Sequence, residues 1–307
     1  MAINQDSGSL TSPGLILGSN QAIIEAQRGI AFAKYFSTDF SAELQGVGKT
    51  VSVPVFSGTA TVFNETSNDF ETTDGSIIPV QVTLDTLVKV TYSLGVADLL
   101  EVNKSSTARN CGVAGGRAIG RKIEELICGL LTYAARKAAH SSFSVSKLGE
   151  AIATAQANEL DPATLVAILR PEFYGKLLDA NTNNAAIQGD DIAASLGRKY
   201  GIKAILCSSK VSAESASGVN KSAGFLVPDS AIAIAGRGLE QPVDGMYSEF
   251  GTQSDEGSGL AVTTFVHGAP GKMRRFMNVA ALLGAKLTRA TSPSDNKAPG
   301  YIQLVTA

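Results

Sequence analysis

The sequence predicts an α+β protein in which a long β ribbon and one long helix outreach a compact α/β body. From Ile77 to Leu94 the apolar residues Val80, Val82, Leu84, Val88, Val90, Tyr92 and Leu94 alternate with Gln81, Thr83, Asp85, Lys89, Thr91 and Ser93. That is the period of a half-buried strand, with Thr86 and Leu87 out of step. From Ser105 to His140, Ile119, Ile123, Leu126, Ile127, Leu130, Ala134 and Ala138 recur at three and four, which makes one face of a helix apolar. From Ser144 onward strand and helix patterns alternate at ordinary α/β spacing.

Residues 1–46 open with Gly, Ser, Thr and Pro and contain one helical candidate, Ser19 to Phe36. Its stripe of Ile23, Ile24, Gln27, Ile30, Ala31 and Lys34 is too narrow for a domain, so the segment reads as an extended arm that lies against something else. The next stretch, "GVGKTVSVPVF", carries the Gly-Lys-Thr that ends a phosphate-binding loop. A phosphate loop needs a glycine where this chain has Glu43, and a helix where Val51, Val53 and Val55 alternate around Pro54. It is a strand. With the run from Ile77 it makes a two-stranded ribbon whose 15 alternating residues would extend about 50 Å. A lone hairpin is marginal in water, so the ribbon requires a partner surface.

The helical pattern that follows takes Thr107 as its N-cap and predicts ~30 residues, about 45 Å of helix. Gly112, Gly115, Gly116 and Gly120 either delay its start or let another backbone approach. "SVSKLGEAIATAQANEL" then reads as a helix closed by Asp161-Pro162, "TLVAILRP" as a buried strand and "PEFYGKLLDAN" as a short helix. "GDDIAASLGRKYGIKAILCSS" gives a helix and a strand, "AGFLVPDSAIAIAG" two strands, and "GLAVTTFVHGAPGKMRRFMNVAALLGAKLT" a hairpin. The tail from Arg289, with Pro293 and Pro299, reads as a surface segment.

Composition bounds the function. With 44% hydrophobic residues in 307 the chain buries a sizeable core, and no segment reaches the ~20 apolar residues of a membrane helix. The N-terminus lacks the basic and apolar regions of a signal peptide, so a soluble protein is expected. Cys111, Cys128 and Cys207 are distant from one another and form no C-x-x-C pair, which points to buried thiols. Net charge is −2, but it is unevenly placed: residues 1–106 carry 5 Lys+Arg against 11 Asp+Glu, and residues 107–140 carry 6 against 2. An acidic first third is joined to a basic segment. Glu65, Asp69, Glu71 and Asp74 lack the glycine-centred spacing of a calcium loop, so they read as a solvated or partner-facing loop.

Catalytic chemistry is scarce. His140 at the predicted helix end and His267 before a glycine turn have no neighbours at metal-ligand spacing. No G-x-S-x-G elbow is present, and "GVAGGRAIG" lacks both the spacing and the preceding strand of a dinucleotide site. No enzyme, metal or cofactor is expected.

An arm, a ribbon, a long helix, an α/β body and a closing hairpin, in that order, resemble the major capsid proteins of tailed bacteriophages, the Hong Kong 97 fold. "GKTVSVPVFSG" and "VQVTLDTLVKVTYSL" resemble the limbs of the extension loop and "GRAIGRKIEELICGLL" the spine helix; "LVAILRPEFYGKLL" with "KYGIKAILCSS" resembles the axial domain. The resemblance implies an N-arm over 1–46, an extension loop over 47–94, a peripheral domain with spine helix over 95–143 and 260–288, an axial domain over 144–259 and a C-terminal tail over 289–307. It further implies a coat protein that assembles in pentamers and hexamers into an icosahedral shell around non-specifically held phage DNA. Scaffold and portal proteins are the implied partners, with no membrane, and assembly is placed in the host cytoplasm with the product in the virion. Some members weld their shells with a lysine-asparagine bond; Lys49 and Lys89 lie at the base of this loop and residues 57–76 hold no lysine, so no such bond is expected. Encapsulin-type compartments share the fold, and a soluble α/β enzyme with an accessory β domain is the remaining alternative. Under this resemblance an inter-subunit contact is expected between acidic Glu65, Asp69, Glu71 and Asp74 of one subunit and basic Arg117, Arg121 and Lys122 of the next, the alternative being that both clusters are solvated faces.

Overall fold

Two sheets and one long helix share a single core, to which the N-terminal segment also contributes. The computed structural model describes residues 21–26, 30, 32–36, 50–58, 75–94, 101–131, 137–140, 145–157, 160–179, 192–212, 215–216, 219–220, 222–239, 249–255, 258–268, 275–288 and 301–306. In chain order the strands are β1 (Thr50–Gly58), β2 (Gly75–Thr83), β3 (Thr86–Leu94), β4 (Lys137–His140), β5 (Leu165–Leu169), β6 (Ala204–Cys207) and the two-residue pair β7 (Ser215–Ala216) and β8 (Val219–Asn220). They continue with β9 (Ser222–Pro228), β10 (Ile232–Arg237), β11 (Glu249–Ser254), β12 (Ala261–Gly268), β13 (Arg275–Leu287) and β14 (Ile302–Thr306). The helices are α1 (Glu101–Leu130), α2 (Val145–Ala157), α3 (Pro171–Asp179) and α4 (Ile192–Lys199).

The predicted unbroken strand is two strands. β2 pairs with β1 and β3 pairs with β13, and the chain changes partner at Leu84-Asp85, next to the residues whose alternation slipped in the sequence. Gly284 of β13 makes the crossing possible: a Cβ there would meet the Thr83 carbonyl oxygen and come within 2.9 Å of its carbon. The ribbon is therefore shorter than expected, and β3 belongs to a sheet rather than to the extension loop.

In sheet I, β13 carries β3 along one edge, while β12 pairs with Arg275–Ala280 and β10 with Leu282–Leu287 on the other, and β11 lies outside β12. Sheet II runs β4-β14-β9-β5-β6. Its central strands are buried on both faces, which is why β5 reads as the continuous apolar run Leu-Val-Ala-Ile-Leu. One face packs on α2, α3 and α4 through Leu148, Ala151, Leu177 and Leu196. The other shares a core with sheet I, where Val166, Ile168, Phe225 and Val227 meet Ile119, Ile123 and Ile127 of α1 and Val279, Ala281 and Leu283 of β13.

Four expectations are corrected. Helix α1 starts at Glu101, so Thr107 lies within it and is no N-cap. It ends at Leu130, where Leu131 N–H donates to the Cys128 carbonyl at 3.1 Å and tightens the last turn. Lys137–His140, helical by its alanines, is instead a strand parallel to β14, because pairing in a sheet overrides local propensity. His140 thus ends a strand and no helix. The expected surface tail contributes β14, with Tyr301, Ile302 and Leu304 buried in the middle of sheet II. Finally, the change of sheet falls between β9 and β10, where Pro228 and the turn Asp229–Ala231 end pairing, rather than at residue 259.

The arm is corrected as well. Ala22, Ala26, Ile30, Phe32, Ala33 and Phe36 are buried in the shared core, so the described residues of this segment lie against their own subunit. Gly116 is the seat: a Cβ there would meet the Ala22 carbonyl oxygen and stand 2.8 Å from its Cα. The neighbouring Gly115 admits Val279, whose Cβ would be 2.6 Å away. Gly116 thus serves a close backbone approach and Gly115 a close side chain, and since the helix starts at Glu101 neither delays it.

Candidate assembly surface

The base of the ribbon is anchored. Val51 and Val53 of β1 and Val82 and Leu84 are buried against Ala233 and Ala235 of β10, with Leu282 alongside. Beyond this contact β1 and β2 pair from Val53↔Val80 out to Gly58↔Gly75. Pro54 stands opposite Pro79. Two prolines remove donors from both strands, which a ribbon tolerates only because each strand is an edge, and which blunts those edges against stray pairing.

Arg117, Arg121 and Lys122 share one helix, as the sequence requires, but two of them already have acidic partners in their own chain. Arg117 Nε donates to Glu25 Oε2 at 2.9 Å, from the buried N-terminal segment, and Lys122 Nζ donates to Glu125 Oε1 at 3.2 Å. Among the described residues Arg121 makes no ion pair. Glu25 escaped sequence reasoning because 92 residues separate it from Arg117, and only the Gly116 contact brings them together. Arg117 remains 61% exposed, so this pair is screened and worth well under 1 kcal/mol. Glu65, Asp69, Glu71 and Asp74 lie outside the described residues, as does Lys49.

A second feature missed in the sequence is Glu124, buried on the inner side of α1. Ser208 Oγ, just past β6, donates to Glu124 Oε1 at 2.6 Å; it accepts from Cys128 Sγ at 3.4 Å and from the Lys210 N–H at 3.0 Å. A carboxylate three residues before Ile127 on the apolar face was the available signal. The network ties α1 to sheet II, and Glu124 lies four residues, one helical turn, before Cys128. Burial pushes the Cys128 thiol up to about 11, with Glu124 adding to the rise and the Ser208 bond opposing it. Because the thiolate is the reacting form, Cys128 is inert near neutrality. Alkylation of the folded subunit at pH 8 is expected to modify half-buried Cys207 first and to reach Cys128 only on unfolding. Peptide mass spectrometry showing both labelled at equal rates would contradict this burial.

His267 is packed rather than poised. Its ring stacks on Phe276 at 5.3 Å, and its Nδ1 lies 2.9 Å from Asn278 Nδ2. Among the described residues no group of His, Cys, Asp or Glu has metal-binding geometry, and no helix is long and apolar enough to cross a membrane.

An anchored ribbon, a long helix laid along an antiparallel sheet and a helix-flanked mixed sheet together make up the fold seen in Hong Kong 97-type capsid structures. The likeness to solved structures is one of fold, at low sequence identity. The head structure of Helicobacter pylori bacteriophage KHP40 matches at a TM-score of 0.52 and 12% identity, covering 88% of this chain and 87% of that one. The capsid of Ralstonia phage GP4 matches at 0.51 and 13%, covering 85% and 84%. A virus-like particle from Pyrococcus furiosus matches at 0.51 and 12%, covering 94% and 97%. No family model and no curated protein matches the sequence.

Proposed function

We propose that the chain is a coat protein that builds a closed icosahedral shell from copies of itself, in pentamers and hexamers, around the DNA of a tailed bacteriophage. The observation that carries the reading is end-to-end likeness: the fold matches particle-forming chains over more than four fifths of both lengths. The role is structural rather than catalytic. Scaffold and portal proteins, assembly in the host cytoplasm and residence in the virion complete the proposal. Sheet I with α1 takes the peripheral position and sheet II the axial one, the ribbon being the extension loop. Negative-stain imaging of the purified protein tests this, with closed particles or capsomers expected. A monodisperse monomer of 31.7 kDa under all salt and scaffold conditions would sink it. Particles that never protect nucleic acid from nuclease would favour a compartment shell instead.

Within that reading, the acidic residues Glu65, Asp69, Glu71 and Asp74 of one subunit pair with Arg117, Arg121 and Lys122 of the next. Each exposed pair contributes about 0.2–1 kcal/mol, and the Debye length shrinks to ~3 Å at 1 M salt, so assembly is expected to slow in high salt. Arg121→Glu with Lys122→Glu should block assembly, and Glu65→Lys with Glu71→Lys should restore it. Light scattering that shows no rescue by the second pair would leave both clusters as solvated faces.

A further inference from the structure

Strand β11 is an open border of sheet I. It pairs with β12 from Glu249↔Val266 to Ser254↔Ala261 without a register shift, and no strand among the described residues lies on its other edge. Such an edge presents a row of unpaired N–H and C=O groups, which proteins usually blunt with proline, lysine, a bulge or a cover. Other borders of this molecule carry such devices. The ribbon has Pro54 and Pro79, β3 has the exposed Lys89, and β6 is overlain by α4, where a Cβ on Gly197 would lie 2.6 Å from the Ala204 Cα. β11, "EFGTQS", contains no proline, lysine or arginine, and Thr252, Gln253 and Ser254 are exposed.

Gly251, at the middle of this strand, supplies the second observation. Glycine weakens a strand and is kept where another backbone comes close. The other mid-strand glycines seat their own chain: a Cβ on Gly224 would strike the Ile168 carbonyl, on Gly236 the Leu260 side chain, and on Gly284 the Thr83 carbonyl. A Cβ on Gly251 would meet only Thr264 Oγ1, at an ordinary 3.7 Å, and its φ is not positive. Nothing among the described residues of its own subunit requires a glycine there.

Symmetry selects the occupant. Two identical antiparallel strands that continue one sheet are related by a two-fold axis perpendicular to it, and this axis sets one residue directly opposite its own copy. The two side chains at that residue crowd each other most, and Gly251 removes both. Thr252, the other central candidate, is already engaged with Thr263 Oγ1 at 3.0 Å. We infer that β11 pairs antiparallel with β11 of a second copy about a two-fold axis at Gly251, joining two subunits through one continuous sheet. The inference deepens the shell reading and rests on it for its setting, since a closed shell supplies two-fold contacts.

Disulfide capture tests it. Directly opposed residues of an antiparallel pair have Cα atoms about 4.5–5.5 Å apart, within the disulfide range of about 4.4–6.8 Å. The full chain carrying Cys207→Ser and Gly251→Cys, mildly oxidised, should run as a covalent dimer. Gln253→Cys in the same background should stay monomeric, because its two copies would be offset by four residues, roughly 13 Å. Gly251→Val, a residue suited to strands, should leave the thermal midpoint of the subunit within ~2 °C and reduce particle yield at least tenfold. A monomeric Gly251→Cys chain, equal capture at position 253, or wild-type assembly by Gly251→Val would each overturn the pairing. Imaging of the unmodified protein reports separately on the shell. If no particles form, the shell reading fails, and capture in concentrated subunits still decides the pairing.

Discussion

Gly116→Val is expected to cost about 3 kcal/mol or more, lowering the thermal midpoint by roughly 5–10 °C. The added methyl groups would point at the Ala22 backbone, which has no rotamer to escape by, and pushing it away would lift Ala22, Ala26 and Ile30 from the shared core. A Cβ placed at Gly129 provides the contrast. No atom lies within 4 Å of a Cβ there, so Gly129→Ala should stabilise α1 by about 0.5–1 kcal/mol, the helix preference of alanine over glycine. Thermal or urea unfolding of the two variants beside the parent decides the matter. Equal stability of Gly116→Val and parent would mean that residues 21–26 do not dock on α1.

Removing residues 59–74 and joining Gly58 to Gly75 by a short turn should abolish closed particles while leaving a folded subunit. Among the described residues, the buried contacts of the ribbon, Val51, Val53, Val82 and Leu84 on Ala233 and Ala235, lie outside the deletion. The expected thermal midpoint is therefore within ~2 °C of the parent, in a chain that sediments only as small species. Unfolding of the deleted subunit would place the removed residues in its own core. Normal particles would remove the ribbon from assembly altogether.

Much of this architecture was legible because it rests on short-range periodicity. Val82 is buried and Val80, Val88, Val90 and Tyr92 are half-buried while Gln81, Thr83, Lys89, Thr91 and Ser93 are exposed, as alternation requires, and Ile119, Ile123 and Ile127 line the buried side of α1. What escaped depended on partners distant in the chain. Lys137–His140 is a strand because it finds Ile302–Thr306, which in turn pairs with Ser222–Pro228, and an alanine-rich or proline-flanked stretch carries no local sign of that. The arm looked external because its stripe is narrow, yet Gly116 lets its backbone come so close that a narrow stripe suffices. The basic residues of α1 were found by count alone, whereas Glu25, the own-chain partner of Arg117, becomes visible only once that close approach is known. The change of partner at Leu84-Asp85 did leave a trace, the slip at Thr86 and Leu87, but a phase slip does not say which sheet receives the second half.

The place of β14 in sheet II has a kinetic consequence. Gln303 must find Lys137 on one side and Phe225 on the other, so the sheet closes across more than half the sequence. Distant closure of this kind slows folding. Until it happens β9 has a bare edge and β4 has no neighbour, the kind of half-built sheet that aggregates at high concentration. A chain made in bulk therefore passes through an adhesive stage before its last strand arrives, and its yield of soluble subunit should depend on expression rate and temperature more than on final stability.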